Sequence, residues 1–248
     1  MLRVVAIALL VGAPAVAAAQ PSGDGISFRA GVGVTYAPGY FGSDEQVPGF
    51  GGAFSRERFQ LGRFATGDGP RDGMIYAGSV RFVGAREASE FEELAGLPDV
   101  DPTVELGGSL GYRLGDAEAF VSLRYGFLGH NSYVGEVGAD YTFDPSPDIS
   151  VTAGPRALWG DDGYARTYFG VDEAAAMASA FDAYDASAGL MSAGVEVEAI
   201  YAINENWEIV GTFRYDRLQG DAADSPITVS DDQLSTTIAL TRRFSFDF

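Results

Sequence analysis

The chain has no cysteine, no lysine and a single histidine, and each absence closes off a class of chemistry. Without cysteine there is no disulfide framework, no thiolate metal site and no thiol nucleophile. A lone histidine, His130, excludes a multi-histidine zinc centre built within one chain. All 16 basic residues are arginine, set against 35 acidic residues for a net charge of −19. Nucleic acid is excluded as the default partner, because a phosphate backbone needs a basic face. Beyond the start of the chain no run of ~20 apolar residues occurs, so no helix is expected to cross a bilayer. The 33 glycines show no triplet period, which excludes a collagen-like rod.

What is present begins with an address. Met1-Leu2-Arg3 carries one positive charge, 4–11 is apolar but too short to span, and Ala17-Ala18-Ala19 precedes Gln20 as an A-x-A cleavage site. Residues 1–19 therefore read as a signal peptide and 20–248 as one exported domain. No cysteine stands at the cleavage point, which excludes a lipoprotein anchor. An exported chain can still cross a membrane as a closed β-barrel, the other structure that pairs every backbone polar group inside lipid.

Period two follows, repeated about ten times. Ile26, Phe28, Ala30, Val32, Val34 and Tyr36 oppose Ser27, Arg29, Gly31, Gly33 and Thr35. The same alternation recurs at 104–113, 121–127, 136–143, 149–157, 191–201, 207–216 and 238–248, with weaker strands at 48–61 and 73–84. In the sixth of these stretches Met191, Ala193, Val195, Val197, Ala199 and Tyr201 share one face. Runs of ~10–13 residues suit a tilted membrane crossing better than the usual ~5–6 of a soluble sandwich. Tyr36, Tyr112, Tyr141, Phe143, Tyr201, Trp207 and Tyr215 sit near strand ends, where interfacial girdles belong. The polar face carries both signs: Arg29, Arg113, Arg124, Arg156 and Arg214 are expected to pair with Glu105, Glu136, Asp140, Glu196 and Glu198 across a narrow lumen. The fold class is all-β, a closed antiparallel transmembrane barrel of about ten strands; twelve is the alternative if 164–171 forms a further hairpin. Both termini then face the periplasm, with short connections at 62–72, 114–117, 144–147 and 202–206 beside them. Long loops at 38–47, 85–102, 159–187 and 220–232 face outward, and 174–180 is expected to form a short loop helix. Phe248, ending an amphipathic strand, resembles the assembly signal of outer-membrane barrels.

Several stretches then carry a family resemblance. Pro38-Gly39-Tyr40-Phe41-Gly42-Ser43-Asp44 follows the first strand, and Leu94-Ala95-Gly96-Leu97 leads into Thr103-Val104-Glu105-Leu106-Gly107-Gly108. Tyr168-Phe169-Gly170-Val171 and Gly220-Asp221-Ala222-Ala223-Asp224-Ser225-Pro226 come later, in the same order. The chain resembles the MipA/OmpV family (MltA-interacting protein) of outer-membrane proteins over essentially its whole exported length. The resemblance implies a non-enzymatic cell-envelope scaffold joining a murein lytic transglycosylase to a penicillin-binding protein, in contact with outer-membrane lipid and lipopolysaccharide. A small-solute channel or a surface adhesin is the alternative reading.

No cofactor is implied, and no residue is assigned a catalytic, cofactor-binding or metal-binding role. The acidic loops read as solvated surface, with cation bridging to lipopolysaccharide as the sharper option, though no D-x-D-x-D-G loop occurs. His130-Asn131-Ser132 juxtaposes a base and a nucleophile, as in the H-x-S arrangement that resembles lipid A deacylases, and gives a third reading as an acyl hydrolase. Its position in a short connection, where Asn and Ser are common, favours a turn. The acids of Asp161-Asp162 have no visible route to His130, and Gly31-Val32-Gly33 lies in a strand rather than a nucleotide loop.

Overall fold

The computed structural model describes residues 25–61, 64–66 and 72–247. Residues 1–19, expected from the sequence to be a signal peptide, and the terminal Phe248 lie outside these residues. Alternation of apolar and polar side chains produces one antiparallel sheet. Its strands are β1 (Gly25–Pro38), β2 (Gln46–Leu61), β3 (Phe64–Thr66), β4 (Gly73–Val83), β5 (Thr103–Leu114) and β6 (Ala117–Leu128). They continue as β7 (Tyr133–Ser146), β8 (Ile149–Gly160), β9 (Gly189–Ala202), β10 (Trp207–Leu218) and β11 (Asp232–Asp247). All ten expected strands are there, and β3 is a three-residue addition within the 62–72 connection.

The sheet order is β3-β2-β1-β11-β10-β9-β8-β7-β6-β5-β4. Except for β3 and β4, consecutive strands pair with each other, and the first strand pairs with the last, from Gly25↔Asp247 to Tyr36↔Thr236. Joining the two ends of the chain is what curls the sheet into a barrel wall. The seam between β2–β3 and β4 carries no ladder among the described residues. Twelve residues of β5, at ~3.3 Å rise and ~45° tilt, cover ~28 Å, close to the apolar height of a bilayer.

The wall is inside-out relative to a soluble protein. Val32, Val34, Phe50, Phe82, Leu123, Val195, Ile238 and Leu240 point outward and are exposed, and so are all seven expected girdle aromatics. Ser122, Arg124, Glu136, Arg156 and Thr241 are buried on the inner face. Lipid supplies the apolar contact that water would withhold from the outer surface.

One end has tight turns and the other a folded cap, as the loop lengths predict. The cap holds α1 (Asp162–Phe169), α2 (Glu173–Ala178), short 3-10 turns at 88–90, 92–94 and 220–222, and bridges Arg86↔Val100 and Val171↔Tyr184. The helix at 173–178 matches the short loop helix expected there. The twelve-strand alternative is corrected: 164–171 is mostly helical. Asp161 caps it by accepting from Tyr164 N at 2.9 Å, and the buried Tyr164, Ala165, Tyr168 and Phe169 follow helical spacing. Met191 is a second correction, being buried beneath the cap rather than outward like Val195. The β8–β9 register shifts there, with Leu158 facing Ser192 and Trp159 facing Leu190, so Met191 is the extra residue of a bulge and turns in.

Candidate functional site

The polar face of the strands builds a chain of ion pairs through the lumen. Arg81 Nη2 donates to Glu105 Oε1 (2.7 Å), and Arg124 ties Glu105 Oε2 (3.0 Å) to Glu136 Oε2 (2.9 Å). Arg214 Nη1 reaches Glu136 Oε1 (2.9 Å) and Glu196 Oε2 (3.4 Å). Arg156 then links Glu196 (3.0 Å) to Asp140 (2.8 Å). Glu136 lies on β7 and Arg214 on β10, with β8 and β9 between them, so that pair bridges the concave inner face of the sheet. Buried charges persist only when paired, and every arginine of this network faces at least one carboxylate, although Arg81 Nε has no hydrogen-bond partner.

Three of the five expected arginines, Arg124, Arg156 and Arg214, find the expected acids. Arg29 instead pairs with Glu208 (3.1 Å) and Arg113 with its hairpin partner Glu118 (2.7 Å). Glu118 is one residue beyond the 114–117 turn and directly across the ladder from Arg113, a closer partner than any acid deeper in the lumen. Arg81, from one of the weaker strands, takes the place that the pattern left open.

At the capped end the network meets His130. The β6–β7 hairpin brings His130 Nε2 to Glu105 Oε1 (3.2 Å) and His130 Nδ1 to Ser132 Oγ (2.8 Å), all three side chains buried. Glu105 already accepts from two guanidinium groups and can only accept, so Nε2–H donates to it. In the tautomer that carries its proton on Nε2, Nδ1 is the acceptor of the Ser132 hydroxyl proton. The ring packs edge-on against Tyr164 (5.1 Å between centroids) and Tyr168 (5.5 Å), while His130 N donates to Thr103 Oγ1 (3.2 Å). Gly126 lies directly under the ring, where any Cβ would collide with it.

Two further features meet here. The N-terminus of α1 touches the serine: a Cβ on Gly163 would stand 2.7 Å from Ser132 Cβ, so only glycine allows this approach. Leu128, with φ +81°, is the one non-glycine residue in the left-handed region among the described residues, and it opens the hairpin that carries His130 and Ser132. A branched apolar residue held there stores strain, a feature that clusters at functional sites.

The cap closes over this site. Phe41 packs edge-on against Tyr168 (5.0 Å), Tyr164 Oη accepts from Arg81 (3.1 Å), and Ser225 Oγ donates to the Phe169 carbonyl (2.6 Å). Burial raises the Tyr164 and Tyr168 phenols above their ordinary range. Burial also raises Tyr40, reinforced by the hydrogen bond its hydroxyl donates to Glu93, and lowers the buried Arg86 guanidinium. Asp161 and Asp162 are structural: Asp161 accepts from Tyr133 N and Tyr164 N, and Asp162 from Ala188 N. Glu87, Glu90, Glu92 and Glu93 face solvent. Among the described residues no group of three or more acids or histidines is placed to hold a metal ion.

The sequence singled out His130 and Ser132, and the fold joins them as their spacing allowed. Glu105 was legible only as a lumen counter-ion, 25 residues upstream, and the tyrosines of α1 lay in a stretch read as loop or strand.

Residues 30–244 match the family described as MltA-interacting protein MipA. Over 175 residues the chain is 31% identical to outer membrane protein OmpV of Vibrio cholerae serotype O1 and 30% identical to outer membrane protein Omp26La of Vibrio anguillarum. Each match covers 70% of this chain and 61% of the relative, so the chain spans about three fifths of the length of the curated relatives it matches. Among solved structures, the translocator domain of autotransporter NalP from Neisseria meningitidis aligns with a TM-score of 0.39 at 12% identity, over 91% of this chain and 90% of that one. Neisserial surface protein A aligns with a TM-score of 0.28 at 12% identity, over 88% and 97%.

Proposed function

The chain belongs to the MltA-interacting protein MipA family and is an outer-membrane β-barrel protein, and from that premise we propose that it works as a binding scaffold of the cell envelope. The observation that carries this reading is the filled lumen. Arg214–Glu136 bridges β10 and β7 over its inner face, Arg81, Arg124 and Arg156 extend the network along the wall, and the cap folds over one end. A barrel plugged by paired charges offers surfaces rather than a passage, which supports binding over solute uptake. The interaction role itself is non-enzymatic. On this reading the tight turns at the uncapped end face the periplasm and meet murein-processing partners, a lytic transglycosylase and a penicillin-binding protein. The acidic cap faces outward toward lipopolysaccharide.

Crosslinking in intact cells followed by capture of the barrel tests the partners. Recovery of a lytic transglycosylase or a penicillin-binding protein supports the scaffold, whereas capture of assembly factors alone removes it. Planar-bilayer recording discriminates the channel alternative: the plugged lumen predicts no steady conductance, and discrete open-channel steps from the unaltered barrel would replace the scaffold with a pore.

A further inference from the structure

We infer that Ser132 and His130 form a nucleophile–base pair for acyl transfer on carboxylic esters, held shut by α1. Such an activity goes beyond the binding role. Four independent features converge on one hydroxyl. Ser132 Oγ is 2.8 Å from His130 Nδ1, and His130 Nε2 is 3.2 Å from Glu105 Oε1. The serine–imidazole–carboxylate order is the arrangement that activates a hydroxyl and orients its base. Glu105 is fixed by Arg81 and Arg124, so the imidazole tautomer that accepts the serine proton is fixed with it. The first turn of α1 starts against Ser132 at Gly163; Tyr164 N is held by the Asp161 carboxylate and Ala165 N by the Asp161 carbonyl, so the first-turn amides without a helical partner are those of Asp162 and Gly163. They therefore lie where a developing oxyanion would need donors. Finally, the hairpin that carries both residues begins at the strained Leu128.

A structural reason for the trio would be to fill the lumen. The lumen below is already neutralised by arginine–carboxylate pairs, and neither a serine hydroxyl nor a hairpin strained at Leu128 is needed to close that network. The chemistry balances without any added oxidant or reductant. Ser132 Oγ attacks the ester carbonyl carbon while its proton passes to His130 Nδ1. The C–O bond to the alcohol breaks as that proton is delivered to the departing oxygen. Water then attacks the acyl-serine, gives a proton to His130, and releases the carboxylic acid as the proton returns to Ser132. Access comes from the capped end, between the exposed Asn131 and the start of α1, once Tyr164 leaves its place over His130.

The test uses the full-length barrel in detergent with a fluorophosphonate probe, which forms a P–Oγ bond to an activated serine and expels fluoride. Mass spectrometry locates the adduct, and heat-modifiable gel migration confirms that each variant is folded. The cap predicts slow labelling of the unaltered protein and about tenfold faster labelling of Ser132 in Tyr164→Ala, since reaction scales with the open fraction. Adding Ser132→Ala removes the adduct, and adding His130→Ala slows it about 100-fold, the lower range for loss of a general base. Phe41→Ala, which loosens the roof without touching the pair, gives the same comparison if Tyr164→Ala does not fold. Glu105 is a positioning residue; its readout is the downfield ring-proton resonance of His130, which Glu105→Gln loses. Folded, cap-loosened protein with no adduct at Ser132 overturns the proposal, and so does labelling at an equal rate after His130→Ala.

Discussion

In the barrel wall, Val195 points outward at 47% exposure while its neighbours Gly194 and Glu196 face the lumen. In the cap the arrangement is reversed: Leu94 is fully buried, and Glu92 and Glu93 beside it face solvent. One chain of uniform composition thus folds by two opposite rules, and the surrounding medium explains the difference. Lipid accepts apolar side chains and penalises unpaired charge, so the wall puts its charges inside and pairs them. Water does the opposite, so the cap hides Tyr40, Phe91, Leu94 and Ile227 in one cluster and Tyr164, Tyr168 and Phe169 in another. Exposure therefore has no fixed meaning in this molecule until the medium on the other side is known.

Removing one charge from each region separates the two rules most strongly. Glu136→Ala removes two buried ion pairs, leaving Arg124 with Glu105 and Arg214 with Glu196 and Asp216, and should destabilise the barrel by about 3–5 kcal/mol, from about 1.5–3 for each charged hydrogen bond lost. Glu92→Ala on the cap surface should change stability by less than about 0.5 kcal/mol. The measurement is the temperature at which folded and unfolded gel species exchange; equal shifts would end the idea of two rules.

Adding a charge gives the converse test. Val195→Arg places a guanidinium toward lipid and should cost about 2–4 kcal/mol near the midplane, with lower yield of assembled barrel. Met177→Arg, at a cap residue 84% exposed, should assemble normally. If both variants assemble alike, the outer face at β9 does not meet lipid.

The smallest expected effect sits where wall and cap meet. Leu128→Gly should relieve the left-handed backbone and stabilise the barrel by about 1 kcal/mol, the strain released less the entropy that glycine adds to the unfolded chain. A loss of stability would show that the Leu128 side chain contributes more than its backbone conformation costs.

Much of the wall was readable from the chain. All ten strands follow from period two, because an extended backbone sends alternate side chains to opposite faces whatever surrounds it. The aromatic girdle and most of the lumen arginines followed from the same alternation. Met191 did not, since a single extra residue in β9 reverses parity locally and nothing in the local pattern marks it. Arg113 did not either, because its hairpin neighbour Glu118 outcompeted the deeper acids through proximity. The cap was the least legible: 164–171 is apolar enough to allow a further hairpin as the alternative to loop, but the Asp161 cap and helical burial of its tyrosines decided otherwise.

The candidate site divides the same way. His130 and Ser132 stand two residues apart, and local spacing alone allows their hydrogen bond. Glu105, on a neighbouring strand, and α1, from a loop some thirty residues downstream, join them only because the barrel curls and the cap folds back over its mouth. By itself the sequence determined an all-β, alternating, acidic chain whose apolar face suits lipid, since those properties reside in local order and composition. The tertiary structure alone decided that charges interlock across the lumen and that a histidine between a carboxylate and a serine lies sealed beneath a helix. Contacts between residues far apart in the chain depend on strand register and closure, which no local pattern carries.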